Sequence, residues 1–326
     1  MGTAARGPAM VKTPPIEPAS GSITATVFDI KRFATGDGPG IRALIFLKGC
    51  ALRCIWCANP ESHRVQPEIM YYRTRCVGCG RCVDVCPNDA IRPDATHGLV
   101  TDPEACTACE ACVDACVRGA RERIGREMTV PELLRVLRRD RRFYDHSGGG
   151  VTISGGEPLL QCDFVAELLR SCRAEGIHTA IETCGDVEWE SIASLLPNLN
   201  LLFFDLKHVD AARHRELTGA SNDRILKNLA RLADEPAPTE LVVRIPFIPG
   251  CNGDEASISQ MFDWLADRAG IERVELMPYH RFGTSKYDGI GRTYALRSLP
   301  PVQPAELIAV VEMGRKRGLK VRVDSE

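Results

Sequence analysis

Hydrophobic and polar positions fall into two alternating regimes along this chain. Short β-branched or apolar runs recur at Ala43–Lys48, Val151–Ser154, Thr179–Glu182, Leu201–Asp205, Leu241–Ile245 and Val274–Met277, each of a length that suits a buried strand. Stretches with helical spacing of apolar residues lie around them: Val130–Arg139, Cys162–Ala174, Asp223–Ala233, Ala256–Ala269 and Ala305–Arg317. Strand followed by helix, repeated, predicts parallel strands joined by helical crossovers, so the fold class is α/β. Six such units predict an open, partial (β/α)6 barrel, short of the roughly eight that close a full one.

In a parallel α/β fold, ligands bind where loops leave the carboxyl ends of the strands. The polar punctuation of this chain falls there. Gly49–Cys57 follows the first run, Ser154-Gly155-Gly156-Glu157-Pro158 the second, Glu182-Thr183-Cys184-Gly185 the third and Asp205-Leu206-Lys207 the fourth. Arg244 lies near the end of the fifth, and Pro278-Tyr279-His280 ends the sixth. Taken singly, a Gly-Gly pair reads as a turn, an Asp as a helix cap and a His as a surface or satisfied core residue. Their recurrence at every strand end sets them apart. Glu182 and Arg244 also admit a purely structural reading, as an ion pair holding strand ends together.

Composition narrows the classes. The chain has 326 residues, 44% hydrophobic, enough for one large domain or two modest ones around a sizeable core. Its 41 Lys+Arg and 43 Asp+Glu nearly cancel, which argues against a nucleic-acid-binding surface or an anionic-membrane partner. No run approaches the roughly 18 apolar residues of a membrane span. Residues 1–20 are rich in proline, lack the apolar core of a signal peptide, and carry Arg6 where a myristoylation pattern needs Ser or Thr. They read as a disordered lead-in to a cytoplasmic protein. In a reducing compartment, fifteen cysteines point to metal ligation rather than to disulfides.

Eleven of the fifteen cysteines lie between Cys50 and Cys116. Cys162, Cys172, Cys184 and Cys251 are scattered, and read as core or helix-face thiols. Within the dense region a pattern is written twice: Cys76-x2-Cys79-x2-Cys82-x3-Cys86-Pro87, then Cys106-x2-Cys109-x2-Cys112-x3-Cys116. This is the bacterial ferredoxin spacing, whereas a zinc ribbon offers two pairs rather than two sets of four. The fourth cysteine of each run ligates the other cluster in such proteins. Cys76, Cys79, Cys82 and Cys116 are therefore assigned to one [4Fe–4S] centre, and Cys86, Cys106, Cys109 and Cys112 to a second. Val117 stands where the second run ordinarily has proline, which loosens the turn expectation and leaves the ligand set intact. Residues 65–120 thus read as a ferredoxin-like insert within an α/β domain formed by 21–64 and 121–326. The earlier Cys50-x3-Cys54-x2-Cys57 has no local fourth cysteine, and a cubane with three thiolates keeps one iron open.

Asp37-Gly38-Pro39-Gly40-Ile41-Arg42, the CxxxCxxC of Cys50, Cys54 and Cys57, Ser154-Gly155-Gly156-Glu157-Pro158 and Asp205-Leu206-Lys207 occur in an order that resembles the glycyl-radical-enzyme activating enzymes of the radical S-adenosylmethionine (SAM) superfamily. The two-cluster insert is similar to that of the larger members. The resemblance spans nearly everything after residue 20, and it implies three [4Fe–4S] clusters. It implies that the amino and carboxylate groups of SAM chelate the open iron held by Cys50, Cys54 and Cys57. Reductive cleavage of SAM then gives methionine and a 5′-deoxyadenosyl radical, which abstracts hydrogen from a glycine Cα of a partner glycyl radical enzyme under anaerobic conditions.

The same resemblance assigns Gly155, Gly156 and Glu157 to the amino group and methionine moiety of SAM. It sets the backbone around Trp56, Cys57 and Ala58 against adenine. Asp205, Leu206, Lys207 and His280 match SAM-contacting positions, with Lys207 neutralising the carboxylate. Glu182, Thr183 and Arg244 join this cofactor-binding set; the Glu182-Thr183 pair is often Asp-Thr in shorter relatives, beside which a monovalent cation can sit. Asp37, Gly38 and Arg42 are expected to help receive the partner's glycine loop, and a flavodoxin or ferredoxin to supply electrons. The insert reads as an electron wire, or else as a docking module or a structural staple. Two other functions stand beside the main one: a radical SAM enzyme with another protein or small-molecule substrate, and a non-enzymatic iron–sulfur electron carrier or redox sensor.

Overall fold

Every one of the six expected strands is present, and they lie side by side. The computed structural model describes residues 23–235 and 238–324; the expected disordered lead-in, residues 1–20, lies outside them. In chain order the strands are β1 (Thr24–Ala34), β2 (Arg42–Leu47), β3 (Glu68–Tyr71), β4 (Ile91–Asp94), β5 (Gly98–Thr101), β6 (Arg121–Ile124), β7 (Arg126–Thr129), β8 (Gly150–Gly155), β9 (His178–Thr183), β10 (Leu201–Asp205), β11 (Glu240–Phe247), β12 (Arg273–Pro278) and β13 (Lys320–Val323). The main sheet has nine strands in the order β13-β12-β11-β10-β9-β8-β2-β1-β7. From β2 to β13 all neighbours are parallel, while β1 and β7 add an antiparallel edge beside β2. The sheet stays open, as expected, but it holds seven parallel strands. The additional one, β13, is four residues long, Lys-Val-Arg-Val; so short an alternating run carries little sequence signal, and pairing with β12 is what orders it.

Both faces of these parallel strands are covered, so their sequences read as apolar runs rather than alternations. Val151, Ile153, Ile181, Leu202, Phe204, Val243, Ile245, Val274 and Leu276 all belong to one continuous core. The helices over them follow expectation closely at Cys162–Ala174 and Asp223–Asp234. The last expected helix instead begins with a 3-10 turn, Pro304–Leu307, before Ile308–Arg315 becomes α-helical. The helix starting at Val130 is set by a reciprocal cap, in which Thr129 Oγ1 accepts from the Glu132 amide and Glu132 accepts from the Thr129 amide. Shorter helices at Arg141–Ser147, Trp189–Leu195, Ala211–Thr218 and Thr284–Gly289 had no clear periodicity to reveal them.

Between β2 and β7 the chain repeats one small unit. β3, a short helix Arg81–Asp84 and β4 are followed by β5, a short helix Ala111–Asp114 and β6, at a fixed offset that carries Cys76 onto Cys106 and Cys86 onto Cys116. β3 pairs antiparallel with β6 and β4 with β5, so the two halves interlock. Gly80 and Glu110, equivalent residues preceding the two helices, both have a left-handed backbone, φ +75° and +68°. Glu110 adopts it without glycine's freedom, which marks this as a geometry imposed by the repeat. Lys48, fully buried at the end of β2, fastens this unit to the sheet: its Nζ lies 3.0 Å from Glu68 Oε2 of β3 and donates to the Glu61 carbonyl.

Candidate active site

One cleft at the carboxyl ends of the parallel strands gathers the polar residues of the sequence motifs, with a cavity volume of about 260 Å³. Cys50, Cys54 and Cys57 enter it from the loop after β2, with Trp56 and Ala58 beside them. Gly155 and Gly156 come from β8, Glu182 and Thr183 from β9, and Asp205 and Lys207 from β10. Arg244 of β11, His280 after β12 and Asp37 of the turn after β1 complete the wall. The glycine pair is dictated by backbone crowding. A Cβ on Gly156 would lie 2.2 Å from the Gly49 carbonyl oxygen, and Gly155 has φ +118°. Only residues without a side chain let the β8 loop lie directly on the cysteine loop.

Four expected contact residues lie elsewhere. Glu157 is fully buried behind the wall: its carboxylate accepts from Thr183 Oγ1 at 2.8 Å, from the Cys184 amide at 2.8 Å and from the Leu159 amide at 3.1 Å. Its charge therefore braces the loops after β8 and β9. Burial holds its carboxyl above the ordinary range, against the hydrogen bonds from Cys184 and Thr183. Leu206 is an apolar core residue with no exposure. Arg42 is likewise wholly buried, donating to Thr152 Oγ1, the Val151 carbonyl and the Pro39 carbonyl. It supports the Asp37–Arg42 turn from beneath, and Gly38 packs over its guanidinium. Of the expected partner-facing set, only Asp37 lines the cleft.

Charges inside the cleft are paired across strands. Arg244 Nη1 lies 2.5 Å from Glu182 and 3.7 Å from Asp37, its Nε lies 3.1 Å from Glu275, and its guanidinium covers the Phe203 ring. Burial opposes the Arg244 charge, but the surrounding carboxylates outweigh it and raise its pKa. Burial also pushes Glu182 up to about 7, with Arg244 pulling the other way. Lys207 Nζ sits 3.0 Å from Asp205 Oδ2. Burial disfavours its charge, and Asp205 with the neighbouring cysteine sulfurs more than restores it. A cation thus stands beside the three cysteines, where an anionic ligand carboxylate would need one.

Burial pushes Cys54 up to about 11 and Cys57 up to about 12, so iron ligation must displace their protons. Cys184, read from the sequence as a core thiol, proves to line the cleft. It lies between the two motifs, with its sulfur 3.0 Å from Glu157 Oε2 and in contact with Cys50, which it holds below the ordinary thiol value. One S–H proton serves both neighbours, one at a time. The Glu-Thr-Cys-Gly motif drew notice for its first two residues; nothing in the sequence ranked the third. Asn252 was also missed. Fully buried, it donates to the Lys207 and Pro246 carbonyls and so ties the β10 and β11 ends together.

The repeat unit places its cysteines in two groups. Cys76, Cys79, Cys82 and Cys116 line one pocket. Cys86, Cys106 and Cys112 pack with Ile69, Ile91 and Ala108 on a small separate core that Cys82 also reaches, while Cys109 is exposed. Backbone amides point at the sulfurs: Gly78 to Cys76 and Ala108 to Cys106, both at 3.4 Å, then Ala90 to Cys86 at 3.3 Å and Ala120 to Cys116 at 3.2 Å. Amides directed at sulfur stabilise thiolates and sulfide-rich clusters. Arg121 supplies a further test of fit. It is 2% exposed, it lines the four-cysteine pocket, and its Nε and Nη2 have no hydrogen-bond partner. Its Nη1 donates to Thr101 Oγ1 at 2.8 Å, but a buried guanidinium with two unsatisfied nitrogens is costly alone and well matched to an anionic thiolate cluster. No group of His, Cys, Asp and Glu side chains among the described residues is arranged to hold a single metal ion.

An open, mostly parallel sheet with a three-cysteine loop at its carboxyl end defines a class, and sequence comparison agrees with it: residues 44–261 match the Radical SAM superfamily. The chain belongs to that superfamily, within its activating enzymes. It is 44% identical over 273 residues to the isethionate sulfite-lyase activating enzyme of Nitratidesulfovibrio vulgaris, covering 82% of this chain and 88% of the relative. It is 39% identical over 305 residues to the choline trimethylamine-lyase activating enzyme of Oleidesulfovibrio alaskensis, covering 92% and 97%. A radical SAM methyltransferase from Sphaerobacter thermophilus shares the fold, with a TM-score of 0.50 and 15% identity over 93% of this chain and 77% of that one. No helix among the described residues is long and apolar enough to cross a membrane.

Proposed function

We infer that the chain is a radical SAM enzyme that activates a partner glycyl radical enzyme under anaerobic conditions. The observation that carries this is the convergence of Cys50, Cys54 and Cys57 with Lys207, Asp205 and Gly156 in one cleft. When bound there, a [4Fe–4S] cluster and SAM supply one-electron cleavage of the sulfonium and a 5′-deoxyadenosyl radical that takes hydrogen from a glycine Cα. The chain's own residues bind and orient. Lys207 offers its ammonium to the SAM carboxylate, and the backbone of Gly155 and Gly156 meets the amino group. The backbone of Trp56, Cys57 and Ala58 borders the adenine side. Glu182, Thr183, Arg244 and His280 shape the remaining wall, and Asp37 faces the arriving glycine loop.

The finer reading is that the segment expected at residues 65–120, extended by β6 (Arg121–Ile124) that pairs with β3, forms a ferredoxin-like domain with two further [4Fe–4S] clusters, inserted into a radical SAM domain. Cys76, Cys79, Cys82 and Cys116 hold one, and Cys86, Cys106, Cys109 and Cys112 the other. The shared pocket of the first four, the amides aimed at sulfur and the partly unsatisfied Arg121 guanidinium support it. An electron-carrier protein, a flavodoxin or ferredoxin, then serves as donor.

Anaerobic reconstitution with iron, sulfide, SAM and dithionite tests both levels. The expected results are 5′-deoxyadenosine and methionine in equal amounts and about twelve irons per chain, the content of three cubanes. Absence of 5′-deoxyadenosine under competent reduction overturns the enzyme reading, and about four irons overturns the two-cluster insert. A glycyl radical signal on a candidate partner identifies the physiological pairing.

A further inference from the structure

We propose that the face around Val77 and Val117 is the docking surface for a small acidic one-electron carrier protein, which delivers its electron at the Cys76, Cys79, Cys82 and Cys116 pocket. This rests on the reading that the pocket holds an iron–sulfur cluster. Val77 and Val117 are 64% and 75% exposed, an unusual state for paired valines, and both line that pocket. Cys79, between them in the pocket wall, is exposed too. Arg81 and Arg118 border the same pocket, and no acidic side chain does. Arg75 reaches the Gly119 carbonyl at 3.2 Å, adding a third exposed arginine beside Arg118. An apolar centre ringed by like charge is the anatomy of an electrostatically steered interface.

The internal repeat provides its own control. At the positions equivalent to Val77, Arg81, Val117 and Arg118, the other half of the unit carries Thr107, Ala111, Pro87 and Asn88. Packing alone therefore does not require the valines or the arginines, because the same fold is built without them. In the second cysteine group, Cys106 is turned toward the sheet domain. Cys106 shares a pocket with Arg64, Ile290 and Arg292, and Glu104 pairs with Arg64 at 2.9 Å. The first group thus opens onto a basic, apolar surface, while the second meets the sheet domain through Cys106. The transfer itself forms and breaks no bond: the carrier is oxidised by one electron and the cluster it meets is reduced by one.

The test uses the reconstituted full-length enzyme and a reduced flavodoxin as probe, with cluster bleaching followed by stopped flow and complex formation by titration at several ionic strengths. Arg81→Glu with Arg118→Glu is expected to slow flavodoxin-driven reduction at least tenfold, weaken the complex and flatten its salt dependence. Dithionite-driven reduction stays unchanged. Asn88→Glu with Ala111→Glu, the repeat-equivalent control, leaves all three readouts unchanged. The docking face is overturned if the arginine variant retains wild-type rate and salt dependence, or if the control loses as much. A wild-type protein whose iron content and spectra reveal only the Cys50, Cys54 and Cys57 cluster overturns instead the reading beneath it.

Discussion

Arg244 reaches across β10 to meet Glu182 of β9, Nη1 lying 2.5 Å from Oε1, and the Phe203 ring of the strand between them lies under the guanidinium. Two strand ends that are not neighbours are thereby locked over a third. Arg244→Met removes the cation and leaves the partly buried Glu182 and Glu275 without it, at a cost of about 2–3 kcal/mol. Glu182→Gln added to that variant recovers part of the loss. Denaturant midpoints of the apo-protein check both. Glu182 holds its proton to about pH 7 in the folded chain, while the unfolded carboxyl ionises near 4.3. The unfolded state therefore binds fewer protons in between, and this group makes stability fall as pH rises through that window.

Glu157→Gln keeps the shape of the side chain but replaces an acceptor by an NH2 donor, facing donors from Thr183 and Cys184. A loss of about 2 kcal/mol is expected, with SAM binding weakened because the β8 and β9 loops lose their common brace. Cys184→Ala keeps the backbone bond and costs less. Chemical denaturation and SAM titration of the two variants separate these effects; equal stability of Glu157→Gln and wild type contradicts the bracing role.

His63 and His178 are both buried enough that their pKa values are pushed down to about 4, with Arg53 and Arg292 adding to the effect at His63 and Arg42 at His178. Between about pH 6.5 and 4 the unfolded chain binds the protons and the folded chain does not. Stability accordingly falls on acidification, by up to about 1.4 kcal/mol per pH unit for each group. Replacing either histidine by Gln shallows the slope of the melting temperature against pH across that range. An unchanged slope in both variants refutes the assignment.

Arg121→Met removes the buried, partly unsatisfied guanidinium beside the four-cysteine pocket. With the positive charge gone, the more reduced and more negative cluster state is less favoured. One cluster's midpoint in a spectroscopically monitored redox titration is expected to move to more negative potential. Midpoints identical to those of the wild type tell against a cluster at that pocket.

Six of the parallel strands and the polar motifs at their ends were already legible in the sequence, because buried parallel strands write themselves as short apolar runs and the loops at their carboxyl ends interrupt them with polar residues. The comparison with Nitratidesulfovibrio and Oleidesulfovibrio relatives agrees with the function those motifs pointed to. The repeat was equally plain, since its cysteines recur at fixed spacing. What periodicity could not supply was direction. Glu157 and Arg42 sit in motifs and yet point into the core, where Thr183, Cys184, Thr152 and the turn carbonyls satisfy them. Cys184, one scattered cysteine of four, stands in the cleft beside Cys50.

Sequence by itself determined the set of chemistries: an open three-cysteine site, two sets of four, and a cation and carboxylates at strand ends. Only the tertiary structure decided which side chains face the cleft and which brace it. It also decided that Val77 and Val117 crown one cysteine pocket while Cys106 turns inward beside Arg292. The reason is physical. Motif spacing is a local property of the chain, but a polar side chain's role follows from which distant backbone or charge satisfies it once water is gone, and those partners are brought together only by folding.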